Sequence, residues 1–435
     1  MGWLAVGPPE ALAHANLVRS DPSDPCLTLP FSRLPRLSQG DLPCTTGVVL
    51  RQPPRFVRLF FSERVDLIGR GVRVLAPSGR RVEVGLAQVS GAEVSVKVRA
   101  AEPGTYRVIW RVVASDTHPA QGTFAFSVGR SSGPPDGMAA GAGSPARSTV
   151  GLALQTLARA LHFAGYALSF GVVGFRQLVL VPMSLADDVS SERRVWRLVG
   201  AGVLTLLIAE PLALVAQTTS LGAAGDGPFD LELVGGALDS SFGRVLAQRL
   251  GAAVLLWVLV GAVRNAHIGE MQMAWGVLPL GAVMALIDGE AAHAVGTHPV
   301  WVGLGINMVH EAAMGLWLGG LLGLLSIYRM PGIASRRGAI VARTARIAVL
   351  SVTVLVITGT VMALQHLTGL RDLATTAYGR TLLMKLCVLA AGLAIAWAAV
   401  SAPVDGRLRW WVREAGALIC LLALAGLLVS LQPPV

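Results

Sequence analysis

The chain has 435 residues, 53% of them hydrophobic and only 14% charged. Its formal net charge is +10, but just 6% of residues are aromatic and no basic stripe is interleaved with them, which argues against a nucleic-acid binder. From about residue 150 onward, apolar stretches of roughly 20 residues recur, the length that crosses a bilayer, so a purely soluble protein is excluded as well.

Residues 1–13 read as the remnant of a signal peptide. Ala11-Leu12-Ala13 is a small-residue cleavage pattern behind a short apolar run, and cleavage after Ala13 makes His14 the mature N-terminus. Residues 14–128 carry strand-like alternation, with strands predicted at 55–61, 71–76, 82–88, 92–99, 104–114 and 121–128. In the fifth, Tyr106, Val108, Trp110 and Val112 share one face; in the sixth, Phe124, Phe126 and Val128 do. Short alternating strands separated by Gly, Pro and Ser turns predict an all-β, immunoglobulin-like antiparallel sandwich. Cys26 and Cys44 lie in this part and can form one disulfide if it is exported, whereas Cys387 and Cys420 sit inside apolar spans as packing residues. Residues 129–149 form a Gly/Pro/Ser/Ala linker with a reach on the order of 25 Å.

Residues 150–435 predict an all-α polytopic membrane bundle of about eight helices, near 158–182, 196–218, 244–264, 272–289, 299–327, 340–364, 380–402 and 409–431. Alternate loops are rich in arginine: Arg193, Arg194 and Arg197; Arg264; Arg329, Arg336, Arg337, Arg343 and Arg346; Arg407, Arg409 and Arg413. The intervening loop 219–243 carries Asp226, Asp230, Glu232 and Asp239 and no basic residue. Arg371 and Arg380 run against the pattern. The rest of the asymmetry puts the N-terminal domain outside a cytoplasmic (inner) membrane and, with an even number of spans, the C-terminus outside too.

The histidines then fall unevenly. Seven of eight lie outside or in the outer half of a span, and only His267 is inside. A neutral imidazole is the commonest metal ligand, so this asymmetry reads as a route for a metal arriving from outside. Two groups emerge. His14 offers an α-amine and an imidazole. Asp116 and His118, at i and i+2 of an expected extended strand, project to one side. Two imidazoles, an amine and a carboxylate suit tetragonal Cu(II). In the membrane part, His162, His293, His310 and His366 lie toward the outer side. His310–Met314 and Met362–His366 are four apart, so each pair shares a helix face, and imidazole with thioether suits Cu(I). Glu210, Glu311 and Lys385 are ionisable residues within spans and draw the same attention. His298, in a loop before Pro299, is the weakest of the set.

Several separated stretches carry a resemblance: His14–Pro22, Pro54–Val65, Gly104–Pro119 with Ser115-Asp116-Thr117-His118 inside it, and Gly122–Val128. In that order they resemble the CopC copper-resistance family, a β-sandwich copper carrier. The resemblance implies a Cu(II) site of His14, Asp116 and His118. The segment 26–53 is longer than the family leads one to expect and reads as a disulfide-closed insertion. No Met lies between residues 2 and 137, so a Met-rich Cu(I) site is not expected in the sandwich. His310-Glu-Ala-Ala-Met-Gly-Leu-Trp317-Leu-Gly-Gly320 and Thr376-Ala-Tyr378-Gly379-Arg-Thr-Leu-Leu-Met-Lys385 resemble the CopD copper-resistance family, multi-span proteins associated with copper movement, usually inward.

The expectation is a copper homeostasis protein. Its exported sandwich binds Cu(II) and passes copper to a transmembrane site for transport, with import favoured. The alternatives are a copper sensor or buffer without transport, and a haem-b electron-transfer protein with His162 and His310 as axial ligands. The copper brace of lytic polysaccharide monooxygenases also uses an N-terminal His, but a membrane-tethered domain with Asp116 as ligand fits it poorly, so no enzyme is expected. No nucleotide-binding P-loop is present in the sequence, which argues against direct coupling to ATP.

Overall fold

The computed structural model describes residues 15–22, 48–132, 148–185, 189–222, 230–265, 270–291 and 299–434. His14, His293, His298, Cys26 and Cys44 therefore lie outside the described residues, as do the signal remnant and most of the linker. The chain divides into two compact units. One comprises Leu12–Gly151 together with Gln217–Arg244, and the other the remaining helical segments.

The first unit is the sandwich. Its strands are β1 (Leu17–Asp21), β2 (Val49–Leu50), β3 (Phe56–Phe61), β4 (Val65–Leu75), β5 (Glu83–Ser90), β6 (Glu93–Val98), β7 (Gly104–Ala114) and β8 (Pro119–Val128). They form two four-stranded sheets, ordered β1-β3-β6-β5 and β2-β8-β7-β4. All pairings are antiparallel except β2–β8. The alternation predicted for β7 and β8 is the core: Tyr106, Val108, Val112, Phe124 and Phe126 are fully buried, and the Tyr106 and Phe126 rings stack at 5.1 Å. Gly122 lies opposite Trp110, whose indole occupies the space a Cβ would need.

Two strands escaped sequence reading. β1 and β2 are too short to show alternation, and β2 lies inside the stretch read as an insertion. β4 begins six residues earlier than predicted. Gly69 (φ 57°) and Gly71 (φ 68°) occupy an irregularity in its pairing with β7, where a left-handed backbone interrupts the period-2 pattern.

The outer face of the β2-β8-β7-β4 sheet is also covered. Helix α3 (Leu231–Leu238) packs on it, capped at its start by the Asp230 carboxylate, which accepts from the amides of Glu232 and Leu233. Glu232 Oε1 accepts from Arg70 N at 2.9 Å, and its other oxygen pairs with Arg73 at 3.5 Å. Gly236 packs against the backbone at Gly69, with no room for a Cβ. Ser241 N donates to Asp66 Oδ2 at 2.7 Å.

The second unit is helical. Its helices are α1 (Thr149–Met183, with π-helical turns at Ala167–Gly171 and Arg176–Leu180), α2 (Val189–Leu221), α4 (Ser241–Asn265), α5 (Glu270–Glu290), α6 (Val300–Ile327), α7 (Arg337–His366), α8 (Ala377–Ser401) and α9 (Val404–Ser430). Seven of the eight are long and apolar enough to cross a membrane among the described residues; α5 is the exception, and it falls on the predicted fourth span. Gly315, Gly319 and Gly323 form a stripe at four-residue spacing on α6. Cβ atoms there would strike Tyr166, the Gly171 backbone and Phe175 of α1. Small residues at this spacing let two apolar helices approach closely where lipid supplies no hydrophobic driving force. The matched order of these contacts makes α1 and α6 parallel neighbours. Cys387 and Cys420 are exposed on α8 and α9, so they face outward from the bundle rather than packing inside it.

Candidate metal centres

In the sandwich, Asp116 and His118 sit in the tight connection between β7 and β8, not on an extended strand. Thr117 between them has φ 69°, a left-handed residue that closes the turn. Ala114 and His118 are linked by Ala114 N donating to His118 O at 2.9 Å, and Thr117 N donates to Ala114 O at 3.0 Å. Asp116 Oδ1 accepts from His118 N at 3.1 Å, the local bond that lets Asp shape a turn. The side chains still meet, for a different reason from the one expected: the turn, rather than strand alternation, brings His118 Nδ1 within 3.1 Å of Asp116 Oδ2. Both residues are buried, at 1% and 4% exposure.

The first described residues run toward this turn. Asn16 N donates to Ser62 Oγ and Ser62 N donates to Asn16 O, both at 2.9 Å. Glu63, the next residue, hydrogen-bonds Ser115, which precedes Asp116. Gln217 Nε2 donates to Thr117 O at 3.1 Å from the other side.

In the helical unit, the sequence-predicted membrane ligands are not gathered at one point. His310 Nδ1 is 2.7 Å from Thr358 Oγ1, which joins α6 to α7. These helices are consecutive, joined by a short connection, and run antiparallel. From that contact Met314 lies one turn toward the connection and Met362 one turn away from it. Four residues advance about 6 Å, so the backbone positions of the two methionines are separated by roughly 12 Å along the axis, and that of His366 lies about 6 Å further on. His366 is buried beside Tyr378 at the start of α8, with ring centroids 6.2 Å apart. Each i,i+4 pair shares a face as expected, but the antiparallel hairpin carries the two pairs apart.

His162 belongs to a different group. Its Nδ1 is 2.7 Å from Glu210 Oε1, and its Nε2 is 2.9 Å from Asp288 Oδ2. Asp288 Oδ1 is in turn 2.6 Å from Arg249 Nε. Ligand-type atoms of His162, Asp288 and Glu311 lie within 4.8 Å of one another. Five helices contribute one residue each: α1, α2, α4, α5 and α6. The close approach of α1 and α6 at Gly315 sets Glu311, one turn earlier, against His162. All three carboxylates and the imidazole are at most 4% exposed. Sequence reading flagged Glu210 and Glu311 but passed over Asp288 and Arg249, although both fall within predicted spans and carry the same signal of an ionisable group in an apolar segment. The adjoining cavity has a volume of about 40 Å³, room for a few waters or an ion and far too small for a porphyrin.

Comparisons with known proteins follow the same division. The CopC domain family matches residues 44–129, the copper resistance protein D-like N-terminal domain family residues 149–298, and the copper resistance protein D family residues 338–431. The copper transport protein CutJ of Bacillus subtilis (strain 168) is 23% identical over 396 residues, 88% of this chain and 67% of its own. Copper resistance protein C of Xanthomonas campestris pv. juglandis is 30% identical over 127 residues, 27% of this chain and 82% of its own. A solved CopC from Methylosinus trichosporium OB3b is 22% identical, covering 26% of this chain and 93% of its own, with a TM-score of 0.20.

Proposed function

Because this chain belongs to the copper resistance C and D families, joined in one polypeptide, we propose that it takes up copper across the cytoplasmic membrane. The sandwich captures Cu(II) outside with His14, Asp116 and His118, and copper then enters the helical bundle. The observation that carries this reading is the Asp116–His118 pair, two buried ligand-type side chains 3.1 Å apart. An imidazole and a carboxylate prepositioned at a turn form an incomplete donor set. The α-amine and imidazole of a processed N-terminus supply the rest of a tetragonal N/O site.

Sidedness is supported by the contacts of the segment between α2 and α4. That segment, free of basic residues, is bonded to the sandwich through its own Glu232 and through the flanking helix ends, Gln217 of α2 and Ser241 of α4, so the two share one side of the membrane. In the bundle, His310 lies against Thr358, and Met362 and His366 follow Thr358 along α7 at four-residue spacing. That arrangement is a file of soft and borderline ligands, suited to passing an ion along rather than to holding it.

Proteoliposomes containing the full chain test the reading. Copper is expected to enter those with the sandwich facing out, and His118→Ala is expected to lower the rate at limiting copper. Copper that binds but never reaches the lumen would identify a buffer or sensor instead. In cells, deletion is expected to lower copper content; a rise would reverse the direction.

A further inference from the structure

We infer that the buried cluster of His162, Asp288 and Glu311 is a second Cu(II) site, built of nitrogen and oxygen donors. The inference rests on the copper-transport reading and deepens it, because it names the bundle's holding site and its ligand chemistry.

Three observations point to a ligand. First, donor atoms of three residues from three helices converge within 4.8 Å. Second, Glu311 Oε1 and Glu210 Oε2 are buried and make no hydrogen bond. A buried carboxylate oxygen without a partner has given up its hydration unreturned, and it persists only where something else compensates. Third, a cavity of about 40 Å³ opens beside His162, Glu210, Asp288 and Glu311, the space of an ion with a water or two.

The outer contacts assign roles. Glu210 holds Nδ1 of His162, which fixes the ring and directs Nε2 toward Asp288 and Glu311. A histidine whose far nitrogen is bonded to a carboxylate is the usual support of a metal-bound imidazole. Arg249 plays the same part for Asp288, engaging Oδ1 and leaving Oδ2 on the His162 side. With the imidazole neutral and all three carboxylates ionised, the state a bound cation would require, the carboxylates and the guanidinium would sum to −2, the charge that one divalent cation cancels in a low-dielectric interior.

Donor chemistry selects the oxidation state. One imidazole and two carboxylates with no thioether suit Cu(II) and disfavour Cu(I). Copper held in this form in the sandwich can move to the bundle without an electron donor.

The test uses the full chain in detergent, loaded with Cu(II) alone, with bound copper counted and the signal read by electron paramagnetic resonance. Two Cu(II) per chain are expected for wild type, one for His118→Ala, one for His162→Ala and none for the double variant. The ion left in His118→Ala should show hyperfine coupling to one nitrogen only. In that background, Asp288→Asn and Glu311→Gln should each weaken binding at least tenfold. If His162→Ala binds as much as wild type, this site is wrong and the sandwich site stands. If His118→Ala binds as much as wild type, the sandwich reading fails and this one stands. Should His162→Ala not elute as a monodisperse species, Glu311→Gln, which keeps shape and volume, replaces it in the His118→Ala background, and unchanged Cu(II) affinity there means this site is wrong.

Discussion

On the proposed reading Asp116 has two separable jobs, shaping the turn and binding copper, and its amide analogue divides them. In Asp116→Asn the Oδ1 acceptor remains, so the bond from His118 N and the turn are preserved, while the negative charge facing His118 Nδ1 is lost. The variant is expected to melt within about 1 kcal/mol of wild type and to lose roughly 100-fold or more in Cu(II) affinity, read by competition titration. A purely structural Asp116 would leave affinity unchanged. The same residue marks the limit of spacing arguments. The D-x-H pattern was legible in the sequence, but the left-handed Thr117 that turns it was not, because a Thr at positive φ has no sequence signature. In the bundle, the i,i+4 Met partners were visible and the five-helix meeting at His162 was not. The cluster's residues, His162, Glu210, Arg249, Asp288 and Glu311, are far apart in sequence, the nearest two being Asp288 and Glu311.

At the level of elements, close approach decides what can change. Gly319 of α6 sits against the Gly171 backbone of α1, whereas Gly305 on the same helix has open space where a Cβ would go. Gly319→Ala is expected to cost about 1–3 kcal/mol by overpacking and to shift the detergent melting transition downward. Gly305→Ala should leave it in place or raise it slightly. Helix α3 is held to β4 by Glu232, a half-exposed side chain bonded to Arg70 N and paired with Arg73. Glu232→Ala is expected to loosen that contact by about 1 kcal/mol, seen as faster amide exchange at Arg70–Arg73 and at Leu231–Leu238, with β7 and β8 unaffected. The Thr376–Gly379 stretch, read as a family signature, has a structural use: the Thr376 hydroxyl caps α8 by accepting from Gly379 N at 2.9 Å, and Gly379 packs against the backbone of Asp372.

For the whole molecule, the proposed topology counts α5 as a span with the seven longer apolar helices, and an even number would put both ends of the chain on one side. A C-terminal alkaline phosphatase fusion is expected to be active in cells and a C-terminal green fluorescent protein fusion dark; the reverse result would require one span more or fewer, with α5 the helix to examine. Mass spectrometry of the membrane-inserted protein is expected to find His14 as the first residue. A retained residue ahead of it would remove the α-amine from the Cu(II) set.

What the sequence determined by itself were the properties that local pattern carries. Period-2 alternation in β7 and β8 specified a sandwich core, apolar length specified candidate spans, and ordered motifs specified the copper-resistance families, while the loop arginines gave an orientation that stays a proposal. Tertiary structure decided what depends on crossing geometry. It set which face of α6 meets α1, separated the two Met–His pairs on antiparallel helices, and brought a histidine and three carboxylates from distant helices around one cavity. The physical reason is that a helix repeats every 3.6 residues whatever its neighbours are, so periodicity tells which side chains share a face. Only the glycine contacts that fix the crossing tell which faces meet.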